Sequence, residues 1–160
     1  SKLGNVEQGM SYCGICMKRQ LTANEYELKD WVVNATTLAE AYLAKEYYAQ
    51  AEYLLFAALH VMPSDLTKKK GLRAMCNMQI GRYYQRRLEI GMALLADNKE
   101  LMKDKVSEKF IEFPELEMNW PEIKDMNSLD DAKTLFRLAN TQFKKALEYY
   151  LLDGFVTEHV

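Results

Sequence analysis

Proline is almost absent from this chain of 160 residues, and this scarcity limits which folds are possible. Its three prolines are Pro63, Pro114 and Pro121, so three long stretches, 1–62, 64–113 and 122–160, contain none. Because proline ends or kinks helices, all three stretches are free to form long helices. Glycine is also scarce, with seven residues, which argues against a loop-rich sandwich. Together with apolar residues at three- and four-residue steps, this composition predicts an all-α protein.

The predicted elements follow one another as parts of one domain fragment. Residues 1–63 are expected to form tetratricopeptide-like helices, with a break between helices at Thr22-Ala23-Asn24. A long basic helix is predicted over 64–112, because no proline interrupts it. An irregular connection with two prolines follows over 113–128, and a closing helix over 129–160 ends the chain.

The region from about 32 to 63 carries one clean tetratricopeptide-like repeat. Small residues at fixed positions let two helices approach closely, and large apolar residues fill the space between them. The positions of this pattern are filled in register by Leu38, Ala39, Tyr42, Ala51, Leu55, Ala58 and Pro63. Elsewhere the pattern decays. Stacked hairpins of this kind form an α-solenoid with an exposed curved face, which favours binding over catalysis.

The formal net charge of -2 lacks the basic excess of a dedicated nucleic-acid binder. One stretch is nevertheless strongly basic and contains no acid; its residues are Lys68, Lys69, Lys70, Arg73, Arg82, Arg86 and Arg87. A positive stripe of this kind is compatible with a solvated surface, a protein contact or a nucleic-acid contact. We expect no nucleic-acid partner for the chain as a whole.

Three cysteines in a chain of this length do not form a disulfide framework, and free thiols favour a reducing compartment. Cys13 and Cys16 have the spacing of a redox motif or of half a zinc site. The sequence has no second pair of ligands, so small buried helix residues are the simpler interpretation. The longest apolar run, Tyr53–Leu59, is far shorter than the roughly 20 residues of a membrane span. We therefore expect a cytoplasmic protein without membrane insertion.

The sequence contains none of the common catalytic or phosphate-binding motifs. We therefore expect no enzymatic activity, no cofactor, no metal and no small-molecule substrate. Tandem tyrosines occur at Tyr47-Tyr48, Tyr83-Tyr84 and Tyr149-Tyr150. Since neighbours on a helix point about 100° apart, one tyrosine of each pair is expected in the core and the other at the rim.

Three stretches of the chain together resemble the kinesin-family binding protein family. They are Lys18–Leu21 with Trp31–Leu38, then Lys70-Gly71 with Cys76, and finally 130–160 with its ending Leu152–Val160. The last of these is similar to the family's closing I-D-G-Y-V-T-D-H-I. Between Val61 and Lys68 the chain is much shorter than the family's acidic loop.

This resemblance implies a central piece of a longer right-handed α-solenoid without enzymatic activity. Family members bind kinesin motor domains, hold them off microtubules and so regulate transport in neurons and elsewhere, which implies a cytoskeleton-associated protein. By position, Gln20, Thr37 and Lys70 match polar residues on the family's motor-facing side. The alternative is a generic tetratricopeptide adaptor that grips the terminus of a peptide or chaperone. Its clamp would depend on Asn34 and Lys45.

Overall fold

Five α-helices make up most of the part of the chain that the structure describes. The computed structural model describes residues 2–63, 70–97, 105–120 and 128–159. The helices are α1 (Lys2–Ala23), α2 (Leu28–Ala44), α3 (Tyr48–Val61), α4 (Lys70–Ala96) and α5 (Leu129–His159), with a single 3-10 turn at Pro114–Leu116. Within these four ranges there is no β-strand, and the all-α prediction is confirmed.

These elements divide into two compact units. The first contains α1, α2, α3 and residues 105–120, and the second contains α4 and α5. This division is finer than the one domain fragment expected from the sequence. It also assigns most of the region 64–112 to the second unit and its last residues, from 104 on, to the first.

Helices α2 and α3 form the hairpin at the centre of the first unit. The small residues Ala39, Ala51 and Ala58 are at most 2% exposed, so the helices pack closely where the repeat pattern has its alanines. Between the helices, Glu46 adopts a left-handed conformation with φ of 65°. The backbone N–H of Tyr47 then donates to the carbonyl of Tyr42 at 3.0 Å, which closes the turn.

Helix α1 ends at the predicted break and packs against α2. Asn24 has a φ of 55°, a left-handed conformation that asparagine tolerates at a helix end. The N–H of Glu25 donates to the carbonyl of Gln20 at 3.0 Å and satisfies one of the last helical carbonyls. The buried indole N–H of Trp31 donates to the carbonyl of Met17 at 3.1 Å, which fixes α2 against α1.

Residues 105–120, called the strap below, lie along α3 and are held there by side-chain bonds to the backbone. The Gln50 amide donates to the carbonyl of Ser107 at 2.9 Å and accepts from the N–H of Ser107 at 3.0 Å. The hydroxyl of Tyr53 accepts from the N–H of Phe113 at 2.7 Å. These bonds satisfy backbone groups of a segment that has no helical partner there.

Aromatic rings complete the attachment of the strap. Phe113 is 1% exposed, and its ring centre lies 5.3 Å from that of Trp31 in an edge-on contact. Phe110 meets Tyr42 and Tyr53 edge-on, at 5.2 and 5.4 Å between ring centres. Edge-on geometry is favourable for aromatic pairs, so the strap is part of the core of this unit.

The predicted helix over 64–112 is therefore too long. Helix α4 ends at Ala96, and residues 105–113 are not helical. The physical reason is that Ser107 and Phe113 use their backbone groups to bind α3 side chains. The irregular region accordingly begins before the predicted boundary at 113. Residues 64–69 and 98–104 lie outside the described residues.

The second unit is an antiparallel pair of long helices that meet through glycines. A Cβ built on Gly81 would lie 2.7 Å from Cε1 of the Phe143 ring, and one on Gly71 would lie 3.0 Å from the Tyr149 hydroxyl. Only glycine permits such an approach without displacement of the aromatic side chain. These two contacts lie at different positions along the hairpin. The two glycines therefore allow a short distance between α4 and α5 along much of its length.

The tandem tyrosines show where the core-and-rim prediction fails. Tyr83 and Tyr84 are both buried, at 1% and 4% exposure, so the prediction is wrong for this pair. Helix α4 buries a wide face, which also includes Ile80 and Arg87, and both ring directions fall inside it. In α5, Tyr149 is half-buried and Tyr150 is exposed, and Tyr47 and Tyr48 are both half-buried, so neither of these pairs places a tyrosine fully in the core.

Candidate partner-binding surface

Thr37 lies on the exposed face of α2, between Val33 and Glu40. Residues three and four apart share a helix face, so these three side chains form one surface row. The neighbouring Thr36 is different: it is 5% exposed, and its hydroxyl donates to the carbonyl of Val33 at 3.0 Å. Of the two tandem threonines, Thr37 therefore has the side chain that a partner can reach.

Gln20 lies in the last turn of α1, in the same unit as Thr37. Its side chain is half-exposed, while its backbone carbonyl accepts the N–H of Glu25. The backbone of Gln20 is therefore needed to end the helix, whereas its amide group remains partly accessible.

Lys70 is the first residue of α4, in the second unit, and is exposed. The next residue, Gly71, approaches the hydroxyl of Tyr149 closely. This pair of neighbours therefore combines two roles: the glycine brings α5 near, and the lysine remains at the surface. The three candidate residues are thus distributed over both units.

The basic stretch is less uniform in the structure than in the sequence. Arg82 and Arg86 are exposed, and Arg86 forms an exposed ion pair with Glu89 at 3.7 Å. Arg87 is 8% exposed, with its guanidinium carbon 5.9 Å from the centre of the Tyr83 ring. Because it is buried, Arg87 belongs to the core of its unit rather than to a positive surface. Lys68 and Lys69 lie outside the described residues.

The strap carries a surface feature that sequence reasoning missed. Trp120 is 44% exposed, its ring centre lies 4.4 Å from that of Tyr53, and its indole N–H donates to the carboxylate of Glu112. Glu115 and Glu117 are also exposed. The sequence signal for this feature was the tryptophan between Pro114 and Pro121. The contact of Trp120 with Tyr53 of α3, however, depends on long-range packing that no local sequence pattern reveals.

The cysteines are free thiols in the structure. Burial, followed by the nearby charge of Cys16, raises the pKa of Cys13, and burial raises the pKa of Cys76 to about 12. Reactive cysteines have a lowered pKa, so neither thiol is activated. In the described ranges, no three potential ligands among His, Cys, Asp and Glu come together as a metal site.

None of the helices in the described residues combines the length and apolar character needed to cross a membrane.

Curated KIF-binding proteins match this chain along almost all of its length. The protein of Danio rerio is 23% identical over 204 residues and covers 99% of the chain. Those of Rattus norvegicus and Homo sapiens are 26% and 25% identical over 199 residues, with 96% of the chain covered. The chain spans about a third (32%) of each of these relatives. All three alignments exceed the chain's 160 residues, so the relatives carry segments that it lacks.

These matches confirm the resemblance to the kinesin-family binding protein family. No family model matches the chain, and no solved structure matches it. The alternative of a generic adaptor for a peptide or chaperone terminus is not favoured, because the relatives are named for binding KIF.

Proposed function

We propose that this chain is part of a kinesin-binding scaffold that holds motor domains off microtubules and so regulates microtubule-based transport. The observation that carries this proposal is the match to KIF-binding proteins over 96–99% of the chain. A non-enzymatic role follows, because such a protein acts by covering a surface of its partner. The proposed location is the cytoplasm, in association with the cytoskeleton where the motors work.

Gln20, Thr37 and Lys70 are the proposed contacts to the motor. The exposure of Thr37 and Lys70 and the half-exposed amide of Gln20 support this proposal. An amide, a hydroxyl and an ammonium group can each form a directed hydrogen bond to a partner. Removal of such a group from the centre of an interface leaves the partner group unpaired, which is costly.

The chemistry of the motor surface suggests how binding would prevent attachment. A surface that binds acidic tubulin must be basic, so an inhibitor that covers it benefits from acids. Glu40 is exposed one turn from Thr37 on the same face of α2. The acidic strap around Trp120 belongs to the same unit. We propose that α2 and the strap together offer negative charge to the motor.

A binding experiment with matched variants tests the contact residues. The triple variant Gln20→Ala, Thr37→Ala, Lys70→Ala is compared with wild type against a panel of purified kinesin motor domains. The control triple variant is Gln8→Ala, Thr141→Ala, Lys144→Ala, which removes the same side-chain types at exposed positions. We expect the first variant to bind the motor about tenfold or more weakly, and the control to bind like wild type. Equal binding by both variants, with equal helicity, would exclude the three residues as the motor contact.

A further inference from the structure

An open apolar groove lies at the end of the α4–α5 hairpin, away from the glycine contacts. Its volume is about 490 Å³, and α4 contributes Leu88 and Met92 to it. From α5 come Leu129, Ala132 and Phe136. Ala132 is buried, whereas Met92, Leu129 and Phe136 are 41%, 66% and 56% exposed. A small residue thus forms the floor, and large apolar side chains stand exposed around it.

The other two residues that line the groove are Lys133 and Arg137. The wall is almost entirely carbon, so these residues contribute their aliphatic stems and keep their charged ends in solvent. Both are exposed and lie one turn apart on α5. The groove therefore has an apolar interior and a rim with two positive charges.

Acids lie close to this rim but do not line the groove. Asp130 and Asp131 lie in the first turn of α5, where negative charge is matched by the helix dipole. The backbone N–H of Asp131 also donates to the Ser128 hydroxyl at 3.3 Å. Glu89, the acid next to Leu88, is paired with Arg86 at 3.7 Å. The groove itself is lined by no acid.

The length of the groove along α5 fits a helical occupant. Leu129 and Phe136 are seven residues apart, which is about 10 Å or two helical turns. Helices that dock in grooves use anchors at positions i, i+3 or i+4, and i+7, which span the same distance. The positive rim then requires acids on the flank of the incoming helix.

We propose that this groove binds an acidic amphipathic helix of a partner protein. Two or three large apolar residues of that helix would pack between Met92, Leu129 and Phe136, and its acids would face Lys133 and Arg137. This proposal is independent of kinesin binding through Gln20, Thr37 and Lys70, because none of these residues lines the groove.

Two labelled helical peptides of about 16 residues test the proposal by fluorescence anisotropy with the full chain at low salt. Both carry leucines at i, i+4, i+7 and i+11; one has glutamates on its flanks and the other has lysines. We expect the acidic peptide to bind about tenfold more tightly than the basic one. The double variant Lys133→Glu, Arg137→Glu is expected to reverse this preference. The matched variant Lys144→Glu, Lys145→Glu, exposed on the same helix, should leave it unchanged.

The apolar part of the site has its own control pair. Phe136→Ser is expected to weaken binding of the acidic peptide about tenfold, and Leu147→Ser, at a similarly exposed position, to have no effect. Failure of the acidic peptide to bind the folded chain would overturn the proposal. So would equal binding by wild type and the charge-reversed variant. Self-association that sedimentation detects and Phe136→Ser abolishes would assign the groove to a second copy instead.

Discussion

The two units build a core from antiparallel helices in different ways. In the first unit, α2 and α3 meet through alanines, and the strap closes one side with the Gln50 and Tyr53 bonds to its backbone. In the second, α4 and α5 meet through Gly71 and Gly81, each against an aromatic ring of the opposite helix. A segment that is largely non-helical completes the first unit, whereas the described part of the second unit consists of its two helices.

The repeat pattern is clear in the first of these hairpins and decays in the second. An alanine-based interface matches the small-residue positions of a tetratricopeptide-like repeat, so the region from 32 to 63 is recognisable. In α4, Gly81 also takes the small-residue position of a second register, with Ile80 and Tyr84, but Asp97 then stands where the pattern has a core residue. The pattern therefore decays in α4 although the helices still pair. The two kinds of interface are therefore expected to respond differently to substitution.

The largest effect is expected from Phe113→Ala in the strap. Phe113 is 1% exposed and packs against Trp31, so its truncation leaves a cavity that costs about 3–5 kcal/mol of unfolding free energy. Both tryptophans, Trp31 and Trp120, lie in the first unit, and denaturation followed by tryptophan fluorescence therefore reports this loss. The control Tyr12→Ala changes an exposed aromatic residue of the same unit and should shift the transition by less than about 0.5 kcal/mol. Similar shifts for both variants would show that the strap does not belong to the core.

A smaller effect is expected from Gly81→Ala in the second unit. The new methyl group would meet the Phe143 ring at 2.7 Å, and the overpacking should exceed the gain in helix propensity by about 1–2 kcal/mol. Circular dichroism, which reports all helices, should show this loss. The unfolding transition followed by tryptophan fluorescence should shift less, because both tryptophans lie in the first unit.

The matched control for this prediction is Gly9→Ala in α1, where a Cβ would meet no atom within 4 Å. There the alanine should raise the unfolding free energy by about 0.5–1 kcal/mol. If Gly81→Ala also stabilises the chain, the glycine is not required for the approach of α5.

The smallest effect concerns alkaline pH. Burial, followed by the negative charges of Cys13, Glu7 and Tyr47, raises the pKa of Tyr42 from 10.0 to about 12. The unfolded chain therefore loses this proton near pH 10, while the folded chain keeps it to about pH 12. Stability from this group is complete below pH 10 and is lost as the pH rises towards 12. Urea denaturation between pH 9 and about 11.5 should show a steeper loss for wild type than for Tyr42→Phe, and equal slopes would contradict this assignment.

The sequence was informative where structure depends on local spacing. Helix periodicity predicts the all-α class, and the break at 22–24 coincides with Asn24 in its left-handed conformation. The strap was missed because its position depends on Gln50 and Tyr53, more than fifty residues earlier in the chain. The exposure of Thr37 rather than Thr36 also needed the structure, because adjacent polar residues give no local signal for which one faces inward. The apolar groove escaped notice for the same reason: Met92 and Phe136 come together only when α4 and α5 pair.

Microtubule co-sedimentation tests most directly whether the chain holds motors off microtubules. A purified kinesin motor domain is mixed with microtubules and with increasing amounts of the 160-residue chain, and the motor is measured in pellet and supernatant. We expect the chain to move the motor into the supernatant, and the Gln20→Ala, Thr37→Ala, Lys70→Ala variant to leave it in the pellet. A motor that binds the chain and still sediments with microtubules would contradict the proposed inhibition.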